Sequence, residues 1–363
     1  MRLRLLAVLP VVATAILVPT SPQAAADLPA ADYVLSARHS GHALDVFNGN
    51  TGEGERAIQW SYHGDANQEW RAAVQSDGTY ELQAKHSGLL LSVAADGTNV
   101  VQASDADLAT QRWRIVTDPV RGSRIASVAS DKVLSVADAS RTEGAQVVVS
   151  TDQNVPSQRW YADYVAAVMP LGDSITYGSG ASTAVSYRTS LWQHFMATRG
   201  FRPDFVGSVL WGNIADRANE GHPGFRIDQV RSEIDGWLAL NRPRYVLIHL
   251  GTNDINQNHD LPNAPARLQD LVQRITQQVP GVTVLVASIV PSRDGVLNQR
   301  INTYNAAIPG VVDAVRATGA DVRFVGLNAR MTLDDISSDA IHPTDAGYLK
   351  MGDIWYDALS PLV

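Results

Sequence analysis

A chain of 363 residues with a formal net charge of -8 is long enough to bury two separate cores. Its Lys and Arg residues gather in no block, which excludes a polybasic contact with nucleic acid or a membrane surface. Cysteine is absent, so disulfides, thiolate metal sites and a cysteine nucleophile are excluded as well.

The first predicted element is a secretory signal over residues 1–26. Arg2 and Arg4 supply positive charge, "LLAVLPVVATAILV" the apolar stretch, and Ala24 and Ala26 the small residues of a cleavage site. Pro10 interrupts the apolar stretch, which is shorter than the ~20 residues of a membrane span. Cleavage near Ala26 and an extracellular mature protein are expected, with stability resting on the cores alone.

Residues 27–163 form the first expected domain, and within it residues 31–163 carry an internal repeat. "NQEW" ends at Trp70, "TQRW" at Trp113 and "SQRW" at Trp160, and each follows a matching run: "ALDV", "LLSV" and "VLSV". Short alternating segments such as "YELQA", punctuated by Gly, Asp and Asn, predict β-hairpins. Three units, each too small to bury a face alone, predict one shared core about a pseudo-threefold axis, with an indole from each unit inside and each Gln tying down hairpin backbone. In these features residues 31–163 resemble the ricin-B-type carbohydrate-binding module (family 13), a β-trefoil. The resemblance implies a shallow sugar site per repeat: a carboxylate for vicinal hydroxyls and an aromatic platform for the pyranose face. The first repeat keeps the set as Asp45, Trp60, His63, Asn67 and Gln68. The second has Ser92 and Ala103 at the carboxylate and platform positions, and the third has Ser135 and Ser150, so both are expected to be structural copies. Ala43 and Tyr62 stand where the resembled family has disulfide positions. The alternative is that all three repeats are scaffold and Trp60 is merely packed.

From Tyr164 to Val363 the pattern changes. The runs "VAAVMPL", "DFVGSV", "YVLIHL", "VTVLVASIV" and "VRFVGL" alternate with amphipathic stretches. In "APARLQDLVQRITQQV", Leu268, Leu271, Val272 and Ile275 share one helical face, with Asn263 as N-cap and Pro280 beyond the end. Strands alternating with helices predict a three-layer α/β/α sandwich with about five parallel strands. Ligands bind such sheets beyond the carboxyl ends of the strands. Ser174 follows the first run, Gly224 lies in the loop after the second, Asn253 follows the third, and Asp339 and His342 lie beyond the fifth. All fall on one edge.

These segments, "GDSIT", the glycine of "EGHPGFRID", "GTND" and "DAIHP", resemble the SGNH (GDSL-type) hydrolases over residues 165–360. The resemblance implies a serine acyl-transfer site: Ser174 as nucleophile, His342 as base and Asp339 as its orienting carboxylate. The Ser174 amide, the Gly224 amide and the Asn253 side chain would receive the oxyanion. Other readings remain: Ser174 as a turn residue, His222 as the base, and Asp334 or Asp335 in place of Asp339. His249 is expected to be a hydrogen-bonded strand histidine, and Asp173 and Asp254 to hold loops. "GSGAST" lacks the third glycine and the lysine of a phosphate loop. The nine histidines show no paired ligand spacing, so no metal and no cofactor is expected.

"MPLGDSIT", "SYRTSLW", "EGHPGFRI" and "LIHLGTND" look most like carbohydrate esterase family 3, whose members are acetylxylan esterases. That implies a monomeric, secreted serine esterase removing acetyl groups from a plant-type polysaccharide and tethered to it by the trefoil. The alternatives are a lipid or aryl esterase of the same fold, and a non-catalytic carbohydrate-binding protein.

Overall fold

A computed structural model describes residues 28–363, so the expected signal lies outside the described residues. The first strand, β1 (Ala31–Ala37), pairs antiparallel with the strand Trp70–Val74, which pairs in turn with Tyr80–Ala84. Tyr80 lies opposite Trp113 of the strand Trp113–Val116, and that strand pairs with Arg124–Ser127. Backbone bonds between Ser123 and Trp160 lead to β2 (Trp160–Gly172), which returns to β1 over Asp32–Val165 to Ala37–Trp160. The ring is closed: six strands make a barrel without edges. Three hairpins, 43–46 with 57–60, 90–93 with 100–103 and 133–136 with 147–150, cap one end and are bridged to one another at 56–101, 58–146 and 99–148. This is a β-trefoil.

Its threefold repetition extends to single hydrogen bonds. The indoles of Trp70, Trp113 and Trp160 are fully buried, and each Nε1–H donates to a leucine carbonyl, that of Leu44, Leu91 or Leu134, at 3.0 Å. Each preceding glutamine clamps a hairpin from both ends of its amide. Gln68 accepts from the His63 amide and donates to the Ser61 carbonyl; Gln111 and Gln158 do the same to Ala106 and Ser104, and to Gln153 and Thr151.

The C-terminal half is an α/β/α sandwich. After β2 come α1 (Ser174–Tyr177), α2 (Tyr187–Ala197) and β3 (Phe201–Phe205). A small hairpin of β4 (Val209–Leu210) and β5 (Ala218–Gly221) precedes α3 (Ile227–Asn241) and β6 (Tyr245–His249). Then come α4 (Thr252–Asn256), α5 (Ala264–Gln278), β7 (Thr283–Ala287), α6 (Gly295–Arg316), β8 (Asp321–Val325) and α7 (Asp345–Leu359). The parallel order is β3–β2–β6–β7–β8, with the end of β5 alongside the end of β2. The second strand begins at Phe201, earlier than the run "DFVGSV" suggests. It carries Pro203, which this edge strand tolerates on its unpaired side. The α5 face of Leu268, Leu271, Val272 and Ile275 is buried as the periodicity requires, while Asn263 bonds Asp260 instead of capping the helix.

The boundary expected between residues 163 and 164 falls inside β2. One continuous strand of 13 residues closes the trefoil barrel with its first half and forms the centre of the parallel sheet with its second. Packing reinforces the junction. Ala43 and Tyr62, at the altered disulfide positions, cluster with Val34 and Val165, and the Tyr62 ring stacks on Trp192 of α2 at 5.8 Å. Gly64 has φ +89°, and a Cβ there would sit 2.9 Å from the same indole. Glu69 occupies the place held by arginine in the other two repeats. It is buried and bonds Lys85, which also bonds Asp204 of the α/β half.

Candidate active site

The end of β2 delivers Gly172, Asp173 and Ser174 into the first turn of α1. Asp173, fully buried, caps that turn by accepting from the Ile175 amide, and burial pushes its carboxyl up to about 6. Ser174 Oγ lies 2.8 Å from His342 Nε2, across 168 residues of sequence. On the other side of the ring, His342 Nδ1 lies 2.7 Å from Asp339 Oδ2. Asp339 Oδ1 accepts from the amides of Ile341 and His342 and from the Ser337 hydroxyl. Although partial burial works the other way, these donors hold the Asp339 carboxyl far below the usual carboxylate range. An ionised Asp339 accepts the Nδ1 proton, which leaves Nε2 as the acceptor facing Ser174.

The loop after β5 lies against the same strand end, because the His222 amide donates to the Gly172 carbonyl at 3.0 Å. Asn253, at the start of α4, donates from Nδ2 to the Phe225 carbonyl at 2.9 Å, which ties its side chain to the loop carrying Gly224. The second Nδ2 proton of Asn253 has no partner among the described residues. Gly224 has φ +84°, and a Cβ there would meet nothing within 4 Å, so backbone conformation rather than crowding requires glycine.

The competing residues have other partners. His222 pairs with the buried Glu220 at 2.8 Å and stacks on Trp237 at 4.4 Å, holding the loop instead of reaching Ser174. His249 is fully buried, accepts from the Val290 amide, and is pushed down to about 4 by burial. Asp335 bonds Thr332 and Lys350, while Asp254 caps α3 at Ile227 and pairs with Arg267.

In the first trefoil repeat, Asp45, Trp60, His63 and Asn67 line a cavity of about 250 Å³. His63 Nε2 stands 3.5 Å from Asp45 Oδ2, and that contact raises the imidazole pKa. Trp60 is 37% exposed and lines the cavity, so part of its indole is accessible to a ligand. Gln68 is a correction: it is fully buried, outside the cavity, and both ends of its amide are spent on backbone. Sequence reasoning missed Phe47, Asn48 and Asp65 on the rim, although "HGDANQ" already placed Asp65 beside His63. In the other repeats, Ser92 and Ser135 turn back to the carbonyls of Val93 and Val136 and present no carboxylate. The third repeat surrounds a wider hollow of about 920 Å³, with Ser150 in place of the aromatic wall.

Two families match the chain, and their matches overlap at residues 171–177. Residues 171–350 match the GDSL-like lipase/acylhydrolase family, and residues 25–103 and 109–177 match the ricin-type beta-trefoil lectin domain-like family. A family 3 carbohydrate esterase of Clostridium thermocellum superposes with a TM-score of 0.50 at 36% identity, covering 55% of this chain and 98% of that one. A putative endoglucanase X of Acetivibrio thermocellus is 35% identical over 36% of this chain and 56% of its own length. A multidomain esterase of Ruminococcus flavefaciens is 25% identical over 53% of this chain and 28% of its own. The chain thus spans little more than half of one curated relative and under a third of the other.

Proposed function

Because the chain joins a ricin-type β-trefoil lectin domain to a GDSL-like acylhydrolase domain, we propose that it is an esterase that removes acetyl groups from an acetylated polysaccharide of the xylan class. The observation that carries the esterase chemistry is the contact chain Ser174 Oγ–His342–Asp339, at 2.8 and 2.7 Å. The sugar substrate is supported by the Asp45–Trp60–His63 cavity in the attached trefoil.

In the proposed reaction, His342 Nε2 takes the Ser174 proton as Oγ attacks the acetyl carbonyl. Charge develops on the carbonyl oxygen beside the Ser174 and Gly224 amides and the second Nδ2 proton of Asn253. Collapse expels the sugar hydroxyl, which takes its proton from His342, and leaves acetyl-Ser174. Water, deprotonated by the same imidazole, releases acetate. Asp339 keeps the ring oriented and stabilises the imidazolium formed on the way.

Export belongs to the same proposal: the charged, apolar, small-residue order of residues 1–26 supports cleavage near Ala26. Sequencing of the exported protein should then begin near Asp27. The decisive assay is acetate release from acetylated xylan, absent in Ser174→Ala. Active enzyme that ignores acetylated glycans and prefers long acyl chains would replace this reading with a lipid esterase.

A further inference from the structure

Two tryptophans are strongly exposed among the described residues, Trp60 at 37% and Trp211 at 42%. Trp60 belongs to the trefoil cavity. Trp211 directly follows β4, where its amide donates to the Arg217 carbonyl at the start of the β4–β5 loop in the α/β half, and the reaction above makes no use of it. One face of its indole stacks on Tyr177 at 5.0 Å and 11°. Tyr177 ends the short helix that Ser174 begins, so Trp211 stands one helical turn and one ring stack from the nucleophile.

An exposed indole on a loose loop would be a poor binding surface, but this one is fixed. Arg188 of α2 is fully buried, and its guanidinium donates to the carbonyls of Trp211, Arg217 and Tyr177. Burying that cation is costly, and burial pushes its pKa down to about 10. The expense is consistent with a hairpin that must stay in place. Four residues further along the same helix, Trp192 packs against Tyr62 and Gly64, the loop that runs into the trefoil cavity at His63 and Asp65. Residues i and i+4 share a helix face and lie ~6 Å apart along the axis. Hairpin and trefoil also approach each other closely, since a Cβ placed on Gly64 would lie 3.4 Å from Asp216 Cβ. One turn of α2 thereby locks the exposed indole near Ser174 to the trefoil cavity.

We propose that Trp211 is a sugar-stacking platform beside the catalytic serine, and that a single glycan chain is held at a fixed spacing between it and the Asp45–Trp60 cavity. The inference rests on the carbohydrate-esterase reading. A flat, fixed indole with one face covered by tyrosine offers its other face to the C–H face of a pyranose. Because the two sites are rigidly joined, the second contact forms at high effective concentration, but only for chains long enough to span both.

Calorimetry of Ser174→Ala protein with linear β-1,4-xylo-oligosaccharides of increasing length tests this. Affinity should rise with length, and Trp211→Ala should remove the gain, weakening the longest oligomers roughly five- to tenfold. Trp211→Phe should restore most of it, and residual binding in Asp45→Ala should still depend on Trp211. Unchanged affinity in a folded Trp211→Ala, binding lost entirely with Asp45 alone, or no binding of these oligomers would overturn the platform. Acetate release by the unmutated enzyme is measured alongside. Release without a Trp211 effect on binding sinks the platform alone; Trp211-dependent binding without release sinks the esterase reading alone.

Discussion

The trefoil repeats one arrangement three times and keeps a carboxylate-and-aromatic site in one copy, whereas the α/β half assembles a single site from four segments that never repeat. In the trefoil, folding and binding use different residues. The Gln-x-Trp clamps at Trp70, Trp113 and Trp160 are intact in every copy, while the carboxylate survives only as Asp45. Losing a carboxylate to Ser92 or Ser135 leaves the core untouched. In the α/β half no such separation exists, because Asp173 caps the helix that presents the nucleophile and Asn253 fastens the loop of its expected partner Gly224.

The sharpest contrast should come from Ser174→Ala, expected to lower kcat on any acetate ester by about 10⁶-fold, with Asp339→Asn costing roughly 10⁴-fold. The Asn variant would present an amide to Nδ1 and favour the wrong tautomer. Thermal melts should show both variants folded. Near-normal turnover in Asp339→Asn would remove Asp339 from the catalytic set and return attention to Asp335.

Next in size are the core indoles. Truncating any of three equivalent, fully buried tryptophans to alanine should cost about 3–5 kcal/mol. Equality holds only if each repeat is independent of the α/β half, and Trp160 is not: it opens β2, which continues into the parallel sheet. Trp160→Ala is expected to lower the melting of both halves together, monitored by far-UV circular dichroism and by esterase activity. Trp113→Ala, in the repeat that neither opens β2 nor packs its loop on α2, should spare activity to a higher temperature. Identical loss of activity in all three would mean the halves melt as one unit whichever repeat is damaged.

The contrast also explains what could be read in advance. Local chemistry was legible, since "GDS", "GTND" and "DAIHP" are contiguous blocks whose placement past strand ends is a consequence of parallel topology. The threefold repeat was legible because its period recurs along the chain. The junction was not. A change from alternating to continuous hydrophobicity marks where β2 passes from a half-exposed barrel wall to a sheet covered on both faces, and it looks like a boundary although the backbone runs straight through. The role of Gln68 was half legible: a glutamine that fastens a hairpin and one that greets a sugar occupy the same place in "NQEW". The link from Arg188 to Trp211 was invisible, because nothing local in "SYRTSLW" says that its arginine is buried against three carbonyls.

A smaller effect tests the junction by pH. Burial pushes Asp216 from 3.8 up to about 7, and burial together with the Asp204 charge pushes Glu69 from 4.5 up to about 7. Between pH ~4 and ~7 the native state therefore binds more protons than the unfolded chain, so stability falls as pH rises through that window and levels off above it. Asp216→Asn, which cannot ionise, should flatten the profile and gain roughly 1–2 kcal/mol over the unmutated protein at pH 8 relative to pH 5.5. Parallel melting curves for the two proteins would show that Asp216 ionises without strain at the junction.

The smallest effect concerns the one trefoil copy that keeps its carboxylate. Asp45 is buried beneath His63 and lines the cavity with Trp60, so Asp45→Ala should reduce retention on insoluble acetylated xylan roughly fivefold. The equivalent changes Ser92→Ala and Ser135→Ala should leave retention where it was, because those hydroxyls bond only the next residue's carbonyl. Retention measured by pull-down, with the turnover of a soluble acetate ester monitored in parallel, separates binding from chemistry. Equal losses in all three serine and aspartate variants would mean the copies share the polymer among them. A loss confined to Asp45 assigns binding to the repeat whose loop is docked on α2, within reach of the hairpin that carries Trp211.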